Sequence, residues 1–180
     1  MEKLKRKIIN HWTAGQNIPN TTDFEHYHFI VSGDGDVYHG DHKIEANDNT
    51  ADGDYAAHTG GGNTRSIGVA VSAMVGYKSP KQLGEAPITK VQIEKMFELN
   101  AKLLFKEGFK KATPENLMTH YEFGKSHPTT SSAGKIDITC IPSYPDVKPD
   151  ECGNFIREKT QYYLNLIISG KLSSDIILKN

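Results

Sequence analysis

The sequence predicts a single α/β domain, with strands concentrated in its amino-terminal half and helices in its carboxy-terminal half. Short apolar runs rich in β-branched residues alternate with Gly, Asn and Asp in the first half, which is typical of strands and turns. From residue 89 onward, apolar residues recur three and four positions apart, the spacing of one helix face. A length of 180 residues without internal repeat or linker predicts one domain over residues 1–180.

Three segments of the first half are predicted to be strands or a hairpin. Residues 6–11 contain Ile8 and Ile9 and lead into polar residues, which indicates a short buried strand with His11 at its end. Two β-rich runs, 27–31 and 37–39, flank a Ser-Gly-Asp-Gly-Asp turn and predict a hairpin.

A polar, glycine-rich stretch at residues 41–62 is predicted to be a surface loop. The run Ser-Ile-Gly-Val-Ala-Val at 66–71 follows it. Because these residues are small or β-branched, we expect a central strand buried on both faces.

The second half is predicted to be mainly helical. Thr89 opens a capping box, and the helix that follows should stop near Gly108. The triplet at 113–115, Thr-Pro-Glu, indicates the start of a second, shorter helix. A final amphipathic helix is expected over about 154–168, whereas the tail at 170–180 has no clear role.

Composition excludes several classes of partner. The formal net charge of -1 leaves no basic excess, so we expect no nucleic-acid partner. The apolar run near the amino terminus is limited to Ile8 and Ile9, too short for a signal peptide, and no stretch approaches the roughly 20 apolar residues of a membrane span. We therefore expect no membrane insertion and a location in the cytoplasm of the producing cell.

Three distant segments supply the ligand types of a hydrolytic zinc site: His11, His120 and Asp137. Catalytic zinc is typically held by three such side chains and keeps one position open for water. Zinc lowers the pKa of that water to roughly 7, which makes a nucleophile available at neutral pH. The set predicts Zn²⁺ as a cofactor, although a lone histidine among eight would more often be a surface or core hydrogen-bonding residue.

With these residues in order, the chain resembles the zinc-dependent N-acetylmuramoyl-L-alanine amidases. This family includes phage endolysins, bacterial recycling amidases and animal peptidoglycan recognition proteins, and the resemblance covers a motif core of about residues 6–142. The matching motifs are His11 after the first strand, Tyr-His-Phe-Ile-Val at 27–31 with its Gly-Asp-Gly turn, His-Thr-Gly-Gly at 58–61, Asn-Thr-Arg-Ser-Ile-Gly-Val at 63–69, the segment around His120, and Gly-Lys-Ile-Asp at 134–137.

The resemblance implies a central mixed β-sheet flanked by helices, with a groove for a glycopeptide. It also implies that His11, His120 and Asp137 bind the metal and that Tyr27 and Lys135 are catalytic. A lysine near the developing oxyanion would stabilise it, by about 2.7 to 4 kcal/mol for a preorganised donor. Tyr27, which can both donate and accept a hydrogen bond, would orient the water or relay its proton.

Two positions depart from the family's commonest pattern. Some phage relatives carry a cysteine as third ligand, so Cys140 competes with Asp137, although in an extended segment Cys140 would point to the opposite face. Glu122 stands where an arginine is usual, which affects the orientation of the second histidine more than ligation.

Substrate contacts are expected from His58, Asn63 and Arg65, near the glycine-rich loop. Loop packing is an equal alternative for His58, and solvated surface is an equal alternative for the other two.

The resemblance implies hydrolysis of the amide bond between N-acetylmuramic acid and L-alanine in peptidoglycan, with a peptidoglycan glycopeptide as substrate. We expect the chain to be a monomer. A phage endolysin, acting on the wall after release, is the favoured role. The alternatives are a cytoplasmic muropeptide-recycling amidase and a non-catalytic peptidoglycan-binding protein.

Overall fold

The computed structural model describes residues 4–179, which contain a mixed five-stranded β-sheet and four α-helices. The strand order is β3-β2-β4-β1-β5, with β3 antiparallel to β2 and every other neighbouring pair parallel. This confirms the predicted α/β class and its mixed sheet. The strands are β1 (Lys7–Trp12), β2 (Phe29–Val31), β3 (Val37–His39), β4 (Ser66–Val71) and β5 (Leu117–Thr119).

Four α-helices accompany the sheet in the described part of the chain. They are α1 (Thr21–His26), α2 (Lys90–Lys106), α3 (His120–Ser126) and α4 (Cys152–Ile168), and short 3-10 helices lie at Ile44–Asp48 and Pro149–Glu151. No helix within residues 4–179 combines the length and the apolar character that crossing a bilayer requires.

One face of the sheet carries the apolar core. On β1, Ile8 packs into this core, and Asn10 exchanges side-chain hydrogen bonds of 3.0 and 2.8 Å with Asn100 of α2. The branched residues of β4, which are Ile67, Val69 and Val71, join the same core, and α2 and α4 cover it.

The opposite face of the sheet is lined by small residues. Because successive strand residues point to opposite faces, His11 leaves β1 on the side away from α2. Ser66, Gly68 and Ala70 of β4 share that side. A Cβ at Gly68 would come within 2.5 Å of the His58 ring, so the small residues make room for buried imidazoles.

Most of the predicted elements are confirmed. All six residues of β4 are buried, β2 and β3 form the predicted hairpin, and α2 begins with Thr89 accepting a hydrogen bond from the Gln92 N–H. Gly108, just beyond α2, has a φ of 80°, which favours glycine. The last helix begins at Cys152, two residues earlier than predicted.

The predicted helix at 113–115 is wrong. The chain turns there, with the N–H groups of Asn116 and Leu117 donating to the carbonyl of Thr113, and β5 then pairs with β1. Pairing with the central sheet outweighs the local helix-start signal. The short helix α1, capped by Asn20 and Asp23, had not been predicted.

The stretch at 41–62 is only partly a surface loop. It contains the 3-10 helix Ile44–Asp48, and Asn47, His58 and Thr59 within it are buried. Asn47 ties this stretch together by accepting from the Ala56 N–H and donating to the Ala56 and Asn63 carbonyls. The 41–62 stretch is therefore an anchored lining of the sheet face that carries His11.

Candidate metal centre

The parallel strands β1 and β5 bring two histidines side by side. His11 is the penultimate residue of β1, and His120 follows directly after β5, whose Thr119 pairs with Asn10. The carboxyl ends of parallel strands lie at one edge of a sheet, where α/β proteins commonly bind ligands. Local strand order thus explains how residues 109 positions apart come into contact.

The start of α3 fixes His120. Thr119 caps this helix by accepting from the Glu122 N–H, and the Glu122 carboxylate accepts from the Thr119 N–H in return. Arg157 of α4 then binds both carboxylate oxygens of Glu122, at 2.7 and 3.0 Å. The positive charge that pairs with Glu122 therefore comes from another helix, α4.

Asp137 reaches the two histidines from a turn rather than from an extended segment. The Tyr121 N–H donates to the Asp137 carbonyl at 2.6 Å, and Ile138 is fully buried in the core beside it. Residues 137–139 form turns and bends, so the extended geometry expected for this segment is wrong. Cys140 is a buried free thiol and does not belong to the cluster of potential ligands among the described residues.

The three candidate donor atoms form a nearly regular triangle. His11 Nδ1 lies 3.1 Å from His120 Nδ1 and 3.0 Å from Asp137 Oδ2, and His120 Nδ1 lies 3.1 Å from Asp137 Oδ2. Ligand atoms about 2.0 to 2.1 Å from a tetrahedral zinc are about 3.4 Å apart. The triangle is only slightly tighter than that, so the donor set and its spacing fit a zinc ion.

The charges of the triangle also suit a divalent cation. Burial lowers the pKa of His11 to about 4, so its imidazole is neutral near pH 7 and has a lone pair to offer. Burial alone would raise the pKa of Asp137, but hydrogen bonds with His11 and His120 outweigh it, and the pKa lies below its ordinary value. The carboxylate therefore stays ionised.

The outer nitrogens of both histidines are engaged as well. His120 Nε2 lies 3.0 Å from Ser132 Oγ, which donates its own proton to the Gly60 carbonyl at 2.8 Å. His11 Nε2 lies 3.2 Å from His58 Nδ1. Partners of this kind fix ring orientation and tautomer in metal sites.

Two corners of the triangle, His120 and Asp137, line a cavity of about 510 Å³. Tyr27 and Lys135 both line it, and the Tyr27 ring centroid lies 5.2 Å from that of His11. Burial raises the pKa of Tyr27, so its hydroxyl keeps its proton near neutral pH. The cavity wall further includes Trp12 and Ile136, whose side chain is 48% exposed.

Of the three predicted substrate contacts, one lines the cavity and two do not. His58 borders the cavity but is only 6% exposed. Asn63 and Arg65 are not among the residues that line it, and the Asn63 side chain accepts from the Thr59 N–H. Arg65 is exposed and has a φ of 55°.

Sequence reasoning missed Ser132, the partner of His120, because a serine in a polar loop carries no signal of its role. Sequence reasoning also gave no indication that His26 borders the cavity. Its position follows from α1, which the capping pattern of Asn20 and Asp23 could have indicated.

A sequence profile described as N-acetylmuramoyl-L-alanine amidase matches residues 3–139. Among solved structures, the chain is similar to the N-acetylmuramoyl-L-alanine amidase LysC from Clostridium intestinale URNW, with 19% sequence identity and a TM-score of 0.40. That similarity covers 59% of this chain and 66% of the length of LysC. No curated protein matches the chain.

Proposed function

Because the chain belongs to the N-acetylmuramoyl-L-alanine amidase family, we propose that it hydrolyses the amide bond between N-acetylmuramic acid and L-alanine in peptidoglycan, with Zn²⁺ as cofactor. The observation that carries this proposal is the buried triangle formed by His11, His120 and Asp137, two of whose corners, His120 and Asp137, line a cavity. Two imidazoles and one carboxylate are a common ligand set of hydrolytic zinc. Zinc held there would supply Lewis acidity and lower the pKa of a water molecule to roughly 7.

Tyr27 is proposed to orient the attacking water. Its hydroxyl retains its proton, and its ring lies against His11 at the edge of the cavity. A protonated phenol can donate to one oxygen and accept from another, so it suits proton transfer between water and the leaving amine. We expect Tyr27→Phe to lower kcat about 100-fold or more while zinc affinity is kept.

Lys135 is proposed to stabilise the oxyanion of the attacked carbonyl. It lines the cavity two residues before Asp137, and its charge contributes to the low pKa of His11. A preorganised cation in a dry site contributes most where negative charge develops. We expect Lys135→Met to reduce kcat by about 100- to 1,000-fold, with a smaller change in KM.

The remaining wall of the cavity suits an amphipathic glycopeptide. Trp12 and the exposed side chain of Ile136 offer apolar surface close to the donor triangle. Contacts of Asn63 and Arg65 with substrate stay predictions. All three donor side chains come from one chain, which supports the proposal that a monomer is active.

The bond that is cut can be identified directly. Purified peptidoglycan treated with the zinc-loaded chain should release free amines without new reducing ends, because an amidase cuts no glycosidic bond. Release of reducing ends, or no release at all by a zinc-loaded chain, would contradict the proposal. A non-catalytic binding protein would bind the wall and release neither product.

The biological role is proposed to be that of a phage endolysin. Intact sacculi and small soluble muropeptides should be compared as substrates at equal bond concentration. Cleavage of sacculi supports the endolysin role, whereas cleavage restricted to soluble muropeptides would favour a recycling amidase.

The third ligand is proposed to be Asp137, and Cys140 gives the matched comparison. Asp137→Ala is expected to abolish zinc binding, because it removes one corner of the donor triangle. Cys140→Ser is expected to leave zinc binding unchanged. Metal content after dialysis, read by a colorimetric zinc indicator, tests both variants, and the reverse pattern would overturn the assignment.

A further inference from the structure

His58 is buried directly behind the donor triangle and is not one of its corners. Its Nδ1 lies 3.2 Å from Nε2 of His11, and its Nε2 lies 3.2 Å from the hydroxyl of Ser66 on β4. The side chain is thus held between a candidate zinc ligand and the sheet. We propose that His58 is a positioning residue, which holds His11 in the tautomer whose Nδ1 lone pair faces the metal.

The direction of each hydrogen bond follows from the sheet side of the network. The Ser66 hydroxyl has one proton, and two carbonyl oxygens, of Gly62 and Asn63, each lie 2.7 Å from it. A hydroxyl that donates to a carbonyl accepts from the imidazole beside it. The His58 proton therefore sits on Nε2, and Nδ1 is left as an acceptor.

An acceptor at His58 Nδ1 determines which ring nitrogen of His11 carries the proton. The nearest groups to that acceptor are the hydroxyl of Thr59 at 2.8 Å and Nε2 of His11. The Thr59 oxygen also lies 3.3 Å from His11 Nε2. Whether His58 accepts from His11 directly or from the Thr59 hydroxyl, a proton on His11 Nε2 finds an acceptor, and Nδ1 keeps its lone pair.

This constraint matters because Asp137 favours the opposite tautomer of His11. Its carboxylate oxygen is 3.0 Å from His11 Nδ1 and would accept a proton held there. A proton on Nδ1 would occupy the lone pair that a metal needs. The acceptors near His11 Nε2, which are His58 and Thr59, therefore counteract the tautomer that Asp137 favours.

The position of His58 is rigid. Gly68 of β4 leaves just enough space for the ring, since a Cβ there would lie 2.5 Å from His58 Cγ. The ring of His28 packs edge-on against it at 5.6 Å, and His28 is itself tied to Asn47 and to the Gly68 N–H. The sheet, rather than a mobile loop, determines where the acceptor lies.

Two substitutions separate hydrogen bonding from packing. His58→Phe keeps an aromatic ring but removes the acceptor, whereas His58→Asn loses volume but places a side-chain oxygen near the position of Nδ1. We expect the Phe variant to bind Zn²⁺ about 10- to 100-fold more weakly than wild type, and the Asn variant to recover most of that loss. Competition with a chromophoric chelator measures both affinities.

The tautomer of His11 gives a second, independent readout. In metal-free protein, two-dimensional ¹⁵N–¹H spectra of the histidine side chains should show the His11 proton on Nε2 in wild type and in His58→Asn. In His58→Phe it should move to Nδ1, toward Asp137.

The outcomes distinguish this inference from the proposed function, on which it rests. If wild-type protein binds no zinc, the proposed cofactor is wrong, while the tautomer spectra still test His58. If zinc binds and the Phe variant matches wild type or exceeds the Asn variant, His58 merely fills space and the inference is overturned. Should the Phe variant fail to fold, Ser66→Ala replaces it as the test. Loss of the proton from His11 Nε2 in that variant supports the inference, and an unchanged His11 tautomer overturns it.

Discussion

Replacing Arg157 by methionine is expected to destabilise the protein and to weaken the helix that presents His120. Arg157 is 7% exposed, and its guanidinium donates to the Leu117 carbonyl at 2.9 Å and to both oxygens of Glu122. Glu122 in turn accepts from the Thr119 N–H, the residue that caps α3. Methionine keeps much of the apolar volume but removes the charge, and with it the hydrogen bonds to Leu117, Glu122 and Asn154.

The magnitude follows from the burial of the two partners. Removing one partner of a fully buried ion pair costs about 3 to 5 kcal/mol. The side chain of Glu122 is 27% exposed, so water can solvate part of its carboxylate after the change. We therefore expect Arg157→Met to lower the free energy of unfolding by about 2 to 4 kcal/mol. The zinc affinity should fall as well, because the His120 backbone is less well fixed.

Urea unfolding monitored by circular dichroism measures this loss, and a double-mutant cycle isolates the pair. Glu122→Gln in the Arg157→Met background should cost clearly less than Glu122→Gln alone, with a coupling of about 1 to 3 kcal/mol. Lys125→Met is the matched control, because Lys125 lies on α3 like Glu122 but forms an exposed ion pair with Asp150. This substitution should change the free energy of unfolding little. Equal effects of Arg157→Met and Lys125→Met, or strict additivity in the cycle, would refute the reasoning.

Three further predictions concern stability and metal. Thr89→Ala should lower the free energy of unfolding by about 1 kcal/mol, because it removes the hydroxyl that accepts from the Gln92 N–H, and an unchanged melting temperature would contradict this. Burial lowers the pKa of His28 to about 4, against an ordinary 6.5. The contribution of neutral His28 to the free energy of unfolding should therefore be fully present above pH 6.5 and decline as the pH falls toward 4. The share of His28 in that decline is on the order of 3 kcal/mol, and urea unfolding of His28→Leu between pH 7 and 4 should show a shallower dependence. Removing zinc with a chelator should lower the melting temperature reversibly, corresponding to about 4 kcal/mol at a free zinc concentration 1,000-fold above Kd, while His11→Ala should show no response to zinc.

The elements that the sequence predicted well are those whose signals are local. The run of β4 is buried throughout, and Thr89 opens α2 where the capping pattern indicated. The Thr-Pro-Glu triplet at 113–115 failed because its local preference competes with strand pairing of Leu117–Thr119 against β1. Long-range pairing of this kind leaves no mark on the local pattern.

The candidate site was predicted as a set of residues but not as a geometry. The order of the motifs indicated His11, His120 and Asp137, and the fold brings their donor atoms within 3.1 Å of one another. The residues behind the triangle could not be predicted in the same way. His58 and Ser132 act through hydrogen bonds whose partners lie far away in sequence, and such partners become known only once loop and sheet are packed.

The alternation along β4 explains how one strand serves both stability and the site. Its odd-numbered residues, Ile67, Val69 and Val71, are branched and fill the core beneath α2. Its even-numbered residues, Ser66, Gly68 and Ala70, are small, so the opposite face can hold a layer of imidazoles between sheet and cavity. Larger residues at the even positions would add apolar surface but would displace the His58 ring. His11 would then lose the partner that orients it. The small residues of this central strand are therefore a requirement of the site, which an account based on strand propensity alone would miss.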